Sequence, residues 1–205
     1  MLRRRTRRLP PEEAQPFAEA LERIDAVASR MQTMVAGLLD LTHAASGRPP
    51  ELNVRATELV ALVRQCIADA QQTTTRHAIQ LETDLLALHG FCDAVRIERV
   101  LANLLTNAVK YSPGGPITVT LAQGGGDALL SVSDRGIGIP AVDLPHLFER
   151  YYRAGNVRTK VLGSGLGLAS AKQILKQHGG AIAVTSEEGA GATFRFRLPI
   201  KAVGR

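Results

Sequence analysis

Residues 97–112 read IERVLANLLTNAVKYS, and this stretch sets how the rest of the chain is interpreted. Its apolar residues recur every three or four positions, which predicts a helix with one buried face. Asn103 and Asn107 lie one turn apart beside that face, with Lys110 about a turn further on. Asparagine is a poor residue for a helix interior, so the pair needs a reason. Amide oxygens suit Mg²⁺ and a lysine suits its phosphates, while two solvated surface amides are the alternative.

The composition is that of a globular chain. It has 205 residues, of which 45% are hydrophobic, enough for one core of ordinary size and a smaller appendage. No apolar run reaches bilayer-spanning length, and no signal peptide with an apolar centre is present. We therefore expect a cytoplasmic chain, attached to a membrane only through segments outside this sequence. Cys66 and Cys92 match no metal-ligand spacing and are expected to be reduced core thiols.

Positive charge is concentrated at the N-terminus. The net charge is +6, and subtracting the five arginines of the first eight residues leaves +1 for the remainder. A disordered tail over residues 1–11, or the cut end of a longer protein, explains this basicity better than a nucleic-acid site does. Aromatic residues make up only 4% and tryptophan is absent, which leaves little stacking surface for single-stranded nucleic acid. We expect no nucleic-acid partner.

Residues 12–47 are predicted to form one long helix. Its apolar positions fall into two stripes, and Gly47, Pro49 and Pro50 end it. Two stripes need neighbours on two sides, as in a helical bundle. We therefore expect this segment to dimerise, to pair with a helix outside this sequence, or both.

From residue 51 to residue 200 the pattern alternates between strands and helices. Helices are predicted over 57–72, from a cap at Asp93 to the break at Pro113, and over 164–178. Strands are predicted over 52–54, 78–82, 86–89, 117–122, 128–133, 181–185 and 193–198. Late strands follow one another as hairpins while the helices share one side. This order predicts an α/β two-layer sandwich with a mixed β-sheet.

Asp134 follows directly on a predicted strand, together with Gly136, Gly138 and Pro140. A carboxylate fixed there can accept a hydrogen bond from an exocyclic amine such as that of adenine. The glycines would let the backbone approach a flat ring. Ordinary turn chemistry is the alternative, and these residues alone do not exclude it.

Gly163, Gly165 and Gly167 lie in the run that opens a predicted helix. Such a turn exposes amide donors and the positive end of the helix dipole to a phosphate chain. The run comes late in the sequence and lacks the β-α-β unit and acidic residue of a dinucleotide fingerprint. We therefore expect phosphate binding but not a Rossmann site.

Residues 149–162 lack periodicity and carry four cations, Arg150, Arg153, Arg158 and Lys160. A basic, glycine-containing segment beside a phosphate site is typical of a mobile lid whose cations meet the nucleotide. A solvated loop is the alternative.

Five motifs occur in one order along residues 51–200. They are Asn103-x-x-x-Asn107-x-x-Lys110-Tyr111-Ser112, Asp134-x-Gly136-x-Gly138-Ile139-Pro140, Phe148-Glu149-Arg150-Tyr151-Tyr152-Arg153, Gly163-x-Gly165-x-Gly167-Leu168 and Gly189-x-Gly191-x-Thr193. Together they closely resemble the ATP-binding domain of bacterial sensor histidine kinases. The resemblance implies a Bergerat-type α/β sandwich that binds Mg-ATP and acts as a kinase in two-component signalling.

The resemblance also implies roles for single residues. Asn107 would hold magnesium, Asn103 would lie beside the triphosphate, and Asp134 would bind the adenine amine. Asn103, Lys110 and Arg153 would form the catalytic set. Further nucleotide-binding residues would be Tyr111, Gly136, Gly138, Ile139, Phe148 as anchor of the lid, Gly163, Ser164, Gly165, Leu166, Gly167, Leu168, and Thr193 at the adenine end.

Residues 38–47 resemble the end of the second helix of the dimerisation hairpin in these kinases. The first hairpin helix would carry a phosphoacceptor histidine followed by an acidic residue. The five histidines here precede Ala44, Ala78, Gly90, Leu147 and Gly179, so none fits. His43 has no adjacent carboxylate to orient its ring and is not expected to accept phosphate. The resemblance thus implies an acceptor histidine outside this chain, association through residues 12–47 as a homodimer or with an acceptor helix, and a response-regulator receiver domain as partner.

Related ATPases and serine kinases of this fold typically place a glutamate general base four residues before the magnesium asparagine. Here that position is Asn103, whose amide cannot take a proton. The sequence therefore favours phosphoryl transfer to a histidine. A hydrolytic or non-catalytic ATP-binding regulatory module is the alternative.

Overall fold

The computed structural model describes residues 51–157 and 164–200. These residues belong to the second of the two units into which the chain divides, Pro49–Arg205. Some of the sequence predictions lie outside the described residues: the tail 1–11, the long helix 12–47 with His43, and Arg158, Lys160 and Gly163.

The described part contains three α-helices, seven β-strands and one short 3₁₀ helix at Leu144–His146. The helices are α1 (Leu59–Gln71), α2 (Ala94–Tyr111) and α3 (Gly167–Gln177). The strands are β1 (Arg55–Glu58), β2 (Ile79–Glu82), β3 (His89–Cys92), β4 (Ile117–Gly124), β5 (Asp127–Asp134), β6 (Ala181–Glu187) and β7 (Gly191–Pro199).

Five of the strands form one mixed sheet in the order β2-β4-β5-β7-β6. Only the β2–β4 pair within it is parallel, and the other pairs are antiparallel. The β4–β5 hairpin turns at Gly125 and Gly126, which both have positive φ angles, as tight hairpin turns require. The predicted mixed sheet with late hairpins is confirmed.

Helix α2 is the central element of the core. The stripe predicted from its periodicity is buried in full: Ile97, Leu101, Leu104, Leu105 and Ala108. Alternate residues of β4, Ile117, Val119 and Leu121, belong to the same hydrophobic cluster. The helices therefore pack as a layer on the sheet, which confirms the two-layer α/β sandwich.

Polar contacts fix the N-terminus of α2. The Asp93 carboxylate caps the helix by accepting the Arg96 N–H at 3.2 Å, as predicted. The Asp93 N–H donates to Nε2 of His178 at 3.0 Å, and Nδ1 of His178 pairs with the Ile174 carbonyl at 2.8 Å. Because one ring nitrogen must accept and the other must donate, His178 is the neutral Nδ1–H tautomer. This buried imidazole joins the N-terminus of α2 to the C-terminus of α3.

Two predicted strands were wrong by three residues. Residues 52–54 and 86–89 were expected to be extended, whereas Arg55–Glu58 and His89–Cys92 pair with each other in a separate two-stranded sheet. Leu86, expected inside a strand, is fully exposed. Glu58 explains part of the shift, because its carboxylate accepts the N–H groups of Val60, Ala61 and Leu88 at 2.6–2.9 Å. It therefore caps α1, which begins at Leu59 rather than at residue 57.

Two further sequence expectations concern membrane-spanning segments and the two cysteines. In the described ranges, none of the helices combines the length and hydrophobicity needed to cross a bilayer. Cys66 and Cys92 are both free thiols. Burial raises the pKa of the Cys66 thiol to about 11, which makes it a poor nucleophile at neutral pH.

Candidate functional site

Helix α2 contacts two glycine motifs that are distant from it in sequence. The Asn103 amide Nδ2 donates to the Gly167 carbonyl at 3.3 Å. At the end of the helix, the Tyr111 carbonyl accepts the Ile137 N–H at 3.1 Å. The asparagine helix, the loop after β5 and the turn before α3 therefore meet in one place, as three walls of a single site.

Asp134, the last residue of β5, lies on the sheet side of this site. Its Oδ1 accepts the Gly136 N–H at 2.8 Å. Burial raises the pKa of the Asp134 carboxyl, and the amides of Gly136 and Ala192 and the nearby His77 oppose that rise. A partly buried carboxylate supported by amides is a strong acceptor for an N–H group of a ligand.

The glycines after Asp134 are required by the protein's own backbone. A Cβ at Gly136 would lie 2.5 Å from the Tyr111 carbonyl oxygen. Gly138 has a φ of +64°, and a Cβ there would meet the main chain of Glu187. We expected these glycines to make room for a flat ring, but the atoms they accommodate are main-chain atoms of α2 and of the β6–β7 turn. The loop therefore packs closely between the C-terminus of α2 and the β6–β7 turn, at a distance that only glycine permits.

Further hydrogen bonds tie this loop to the β6–β7 hairpin. The Ile139 N–H donates to Oγ of Ser186 at 3.0 Å, and the Gly189 N–H donates to the Ile137 carbonyl at 2.8 Å. One residue before Asp134, the hydroxyl of Ser133 pairs with that of Thr193 at 2.9 Å. Thr193 therefore lies at the Asp134 end of the site, which we call the base end.

The opposite end of the site, which we call the phosphate end, is the turn that precedes α3. The helix begins at Gly167, three residues after the predicted start at 164, so Ser164 to Leu166 remain as a turn. Gly165 has a φ of +70°, and its carbonyl accepts the Tyr151 N–H at 3.0 Å. Within the described ranges, the N-cap residue Leu166 has no side-chain cap hydrogen bond. The first N–H groups of α3 are therefore available to an anion.

Two cationic side chains lie near the end of α2. The Lys110 ammonium is 5.1 Å from the centroid of the Tyr111 ring. Burial raises the pKa of Tyr111, while the charge of Arg153 lowers it, so Arg153 also faces this residue. The Arg153 guanidinium donates to the Val157 carbonyl at 3.0 Å. Positive charge is thus available where α2 approaches the lid.

The described part of the predicted lid, residues 149–157, consists of turns and irregular backbone held by Asp143. The Asp143 carboxylate accepts the Tyr152 hydroxyl at 2.6 Å and the Gly155 N–H at 2.8 Å. These two bonds hold the pKa of Asp143 below its usual value. The lid is therefore fixed at its base by a buried carboxylate.

Three of the predicted site residues, Ile139, Phe148 and Leu168, pack between the main core and a small cluster of Leu147, Ala154 and Val157. The Lys172 ammonium lies 5.5 Å from the centroid of the Phe148 ring. Phe148 thus connects the start of the predicted lid to α3.

Comparison with known proteins gives one family. The model for "Histidine kinase-, DNA gyrase B-, and HSP90-like ATPase" matches residues 92–202, from the last residue of β3 to just beyond β7. This chain belongs to that ATPase family.

Individual relatives of this ATPase-family chain are sensor histidine kinases. The sensor histidine kinase YkoH of Bacillus subtilis is 38% identical over 181 residues, which cover 88% of this chain and 39% of YkoH. The sensor histidine kinase WalK of the same organism is 47% identical over 113 residues, which cover 53% of this chain and 18% of WalK. The chain therefore spans well under half the length of these relatives.

A solved structure of a mycobacterial sensor histidine kinase, MprB, superposes on this ATPase domain with a TM-score of 0.65 at 27% identity. The match covers 72% of this chain and 99% of that structure. These comparisons confirm the resemblance to sensor histidine kinases and the Bergerat-type fold.

Sequence reasoning missed several residues that help to build this candidate site. Asp143 holds the predicted lid, and Ser186 holds the loop at the base end. Neither residue belongs to a sequence motif that would distinguish it from an ordinary polar residue. His77 and His178 are 3% and 5% exposed, and neither has a local pattern that distinguishes it. A buried histidine can be recognised only when the elements that cover it are known.

Proposed function

We propose that this chain is the ATP-binding catalytic part of a sensor histidine kinase, which transfers the γ-phosphoryl group of Mg-ATP to a histidine outside this chain. The observation that carries the proposal is the bond from Asn103 to the Gly167 carbonyl, which joins the predicted magnesium helix to the predicted phosphate turn. Membership of the ATPase family supports ATP as the nucleotide.

ATP would span the site from the base end to the phosphate end. Asp134 would accept a hydrogen bond from the adenine amine, with Thr193 beside it. The turn at Ser164–Gly167 and the first N–H groups of α3 would bind the phosphates, assisted by Lys110. The lid that begins at Phe148 would cover the nucleotide.

The Asn107 side chain is a suitable ligand for a magnesium ion. Asn107 is partly buried one turn from Asn103, and its amide makes no hydrogen bond with a described residue. Among the described residues, no group of three or more His, Cys, Asp or Glu side chains could hold a metal. An ion bound through one amide oxygen, phosphate oxygens and water is typical of Mg²⁺. When bound, it would neutralise charge on the triphosphate.

Transfer to an imidazole suits these residues better than hydrolysis does. Asn103 donates through Nδ2 and has no basic group, so it cannot deprotonate a water. A neutral histidine is already nucleophilic, and its phosphorylation needs positioning and charge stabilisation more than a general base. Asn103, Lys110 and Arg153 would provide these by holding the γ-phosphate and balancing its charge.

The partners follow from the same proposal. Residues 12–47 would associate as a homodimer or with an acceptor-bearing helix, and the phosphoryl group would pass on to a response-regulator receiver domain. The domain would act on the cytoplasmic side, with membrane attachment through other segments of the full protein. The names of the relatives support this class of partner.

Asn107→Asp tests the magnesium assignment. The added negative charge beside the triphosphate should weaken Mg-ATP binding about tenfold or more and shift the Mg²⁺ titration, measured by isothermal calorimetry. Gln80→Glu, which adds the same charge at an exposed position of β2, is the control and should bind normally. Unchanged binding in Asn107→Asp would refute the role of Asn107.

Phosphoryl transfer is tested with γ-labelled ATP and a separate hairpin that carries an acceptor histidine. The hairpin should gain acid-labile label, while this chain alone should not. Binding of ATP without transfer would indicate a regulatory module. Self-labelling that disappears in His43→Ala would contradict an acceptor outside this chain.

A further inference from the structure

Asn156 is a polar residue of the predicted lid that the proposed mechanism leaves without a role. Its Nδ2 is 3.0 Å from the Gly138 carbonyl oxygen, 18 residues earlier in the chain. Because a carbonyl can only accept, Nδ2 donates this hydrogen bond. In the part of the chain that the structure describes, Oδ1 of Asn156 is buried and has no hydrogen-bond partner. The contribution of this amide therefore lies in its donor.

The acceptor belongs to a loop that the rest of the domain holds in place. Gly138 has a φ of +64°, and a Cβ there would overlap the main chain at the end of β6. The N–H of the preceding residue, Ile137, donates to the Tyr111 carbonyl at 3.1 Å. The N–H of the following residue, Ile139, donates to Oγ of Ser186 at 3.0 Å. The Gly138 carbonyl is therefore a fixed point of the base end.

The backbone on both sides of Asn156 is held as well. The preceding residue, Gly155, donates its N–H to the Asp143 carboxylate at 2.8 Å. The following residue, Val157, is buried in the same small cluster as Leu147. Asn156 therefore joins an ordered part of the predicted lid to the base-end loop.

Val157 in turn contacts a cation. Its carbonyl accepts a hydrogen bond from the Arg153 guanidinium at 3.0 Å. Tyr111, at the end of α2, packs against the cluster that contains Val157. Burial raises the pKa of Tyr111 and the permanent charge of Arg153 lowers it, which agrees with a guanidinium that faces the end of this helix. A continuous path thus runs from the base-end loop through Asn156 and Val157 to Arg153.

We propose that Asn156 is a positioning residue, which uses the fixed base-end loop to orient the Arg153 guanidinium toward the γ-phosphate. This inference rests on the proposed function, in which Arg153 holds that phosphate. Without the Asn156 amide, the backbone at Val157 would lose a link to the base end, and the carbonyl that directs the guanidinium would be less well placed. Binding of ATP should then weaken, whereas binding of ADP, which has no γ-phosphate, should not.

A double-mutant cycle of Asn156→Ala and Arg153→Gln tests this proposal, because it measures the loss in two backgrounds. Affinities for Mg-ATP and Mg-ADP are measured by isothermal calorimetry. Asn156→Ala should lose about threefold to tenfold in ATP affinity and less than about twofold in ADP affinity. In the Arg153→Gln background, the same substitution should change ATP affinity by less than about twofold. Asn53→Ala, at an exposed position where Oδ1 accepts from Arg55, is the matched control and should bind both nucleotides normally.

Other outcomes of this experiment overturn the proposal in different ways. Equal losses for ATP and ADP in Asn156→Ala would show that Asn156 only supports the fold, and unchanged ATP affinity would show that its hydrogen bond is not used. Losses that multiply in the double variant would show that Asn156 acts independently of Arg153. Unchanged ATP affinity in Arg153→Gln would remove the group through which Asn156 acts. A wild type that binds neither nucleotide would refute the proposed function itself, and the role of Asn156 with it.

A second variant covers a failure of Asn156→Ala to fold. In Asn156→Ser the hydroxyl can donate to the Gly138 carbonyl, directly or through one water, so this variant should lose less than about threefold in ATP affinity. A loss as large as that of Arg153→Gln would overturn the proposal. If circular dichroism shows that neither variant folds, Asn156 is a structural residue and the proposal is overturned as well.

Discussion

Helix α2 makes two contacts in the site, and they differ in kind. At the base end, Gly136 lies directly against the Tyr111 carbonyl, so backbone meets backbone. At the phosphate end, Gly167 faces the side chain of Asn103, with its missing Cβ 3.2 Å from Oδ1. Backbone held by a helix and a sheet cannot move aside, whereas an amide side chain can rotate. The base end is therefore preformed, and the phosphate end can adjust to its ligand.

Gly138→Ala should disrupt the backbone packing of the base end, and we expect it to have the largest effect on stability and ATP binding. The variant forces a positive φ on alanine and drives its Cβ into the main chain of Glu187. We expect a loss of about 3 kcal/mol or more in the free energy of unfolding, measured by urea denaturation, and no detectable ATP binding. Gly125→Ala has a similar φ of +61° with nothing within 4 Å, and should cost about 1 kcal/mol. Equal losses in the two variants would mean that the base end is not rigid.

Asp134→Asn should leave the base end folded but remove its recognition of the amine. ATP affinity should fall about tenfold to a hundredfold, because a hydrogen bond to a charged acceptor is lost. Asp127→Asn, at the other end of β5, is the control and should bind ATP normally.

The same variant has a predictable pH dependence. Burial raises the pKa of Asp134, so the ionised carboxylate opposes folding at neutral pH and this opposition fades as the pH falls through the raised pKa. Asp134→Asn should therefore be more stable than the wild type at pH 7, with a difference that shrinks on acidification. A difference that grows as the pH falls would contradict the direction of the shift.

Gly167→Ala should have the smallest effect on the nucleotide-free protein. Alanine favours the helix that starts here, and its Cβ needs only a small rotation of Asn103. The free energy of unfolding should change by less than about 1 kcal/mol in either direction. Gly136→Ala, the base-end counterpart, should be clearly destabilised in the same denaturation series. A loss at Gly167 as large as that at Gly136 would remove the contrast between the two ends.

The parts of this structure that were predictable from sequence are those set by local patterns. Helix α2 has a strong apolar period and its own cap at Asp93, and both are as predicted. The bounds of β1 and β3 were misplaced, because the two strands depend on each other although their paired residues are 37 apart at Arg55–Cys92 and 31 apart at Glu58–His89. Short strands have little pattern of their own, so their partner determines where they begin.

The same distinction applies to the site. Asp134, Gly136 and Gly138 were found from their motif, but the reason for the glycines was not, because Tyr111 and Glu187 approach them only in the folded chain. His77 was missed since its burial depends on β2 pairing in parallel with β4, which brings Gly115 to its ring. The hydrogen bonds from Tyr152 and Gly155 to the Asp143 carboxylate were also missed, because these residues lie in turns without periodicity.

The imidazole between Asp93 and Ile174 has a consequence for how the site can move. It ties the N-terminus of α2 to the C-terminus of α3, while Asn103 and Gly167 meet near the opposite end of the pair. The helix pair is thus joined at one end by a buried hydrogen bond of 3.0 Å to an imidazole that α3 itself holds in place, and at the other by a longer bond of 3.3 Å. We therefore expect any separation of the two helices to pivot about His178, which would widen the space between Asn103 and the phosphate turn and leave Asp134 in place.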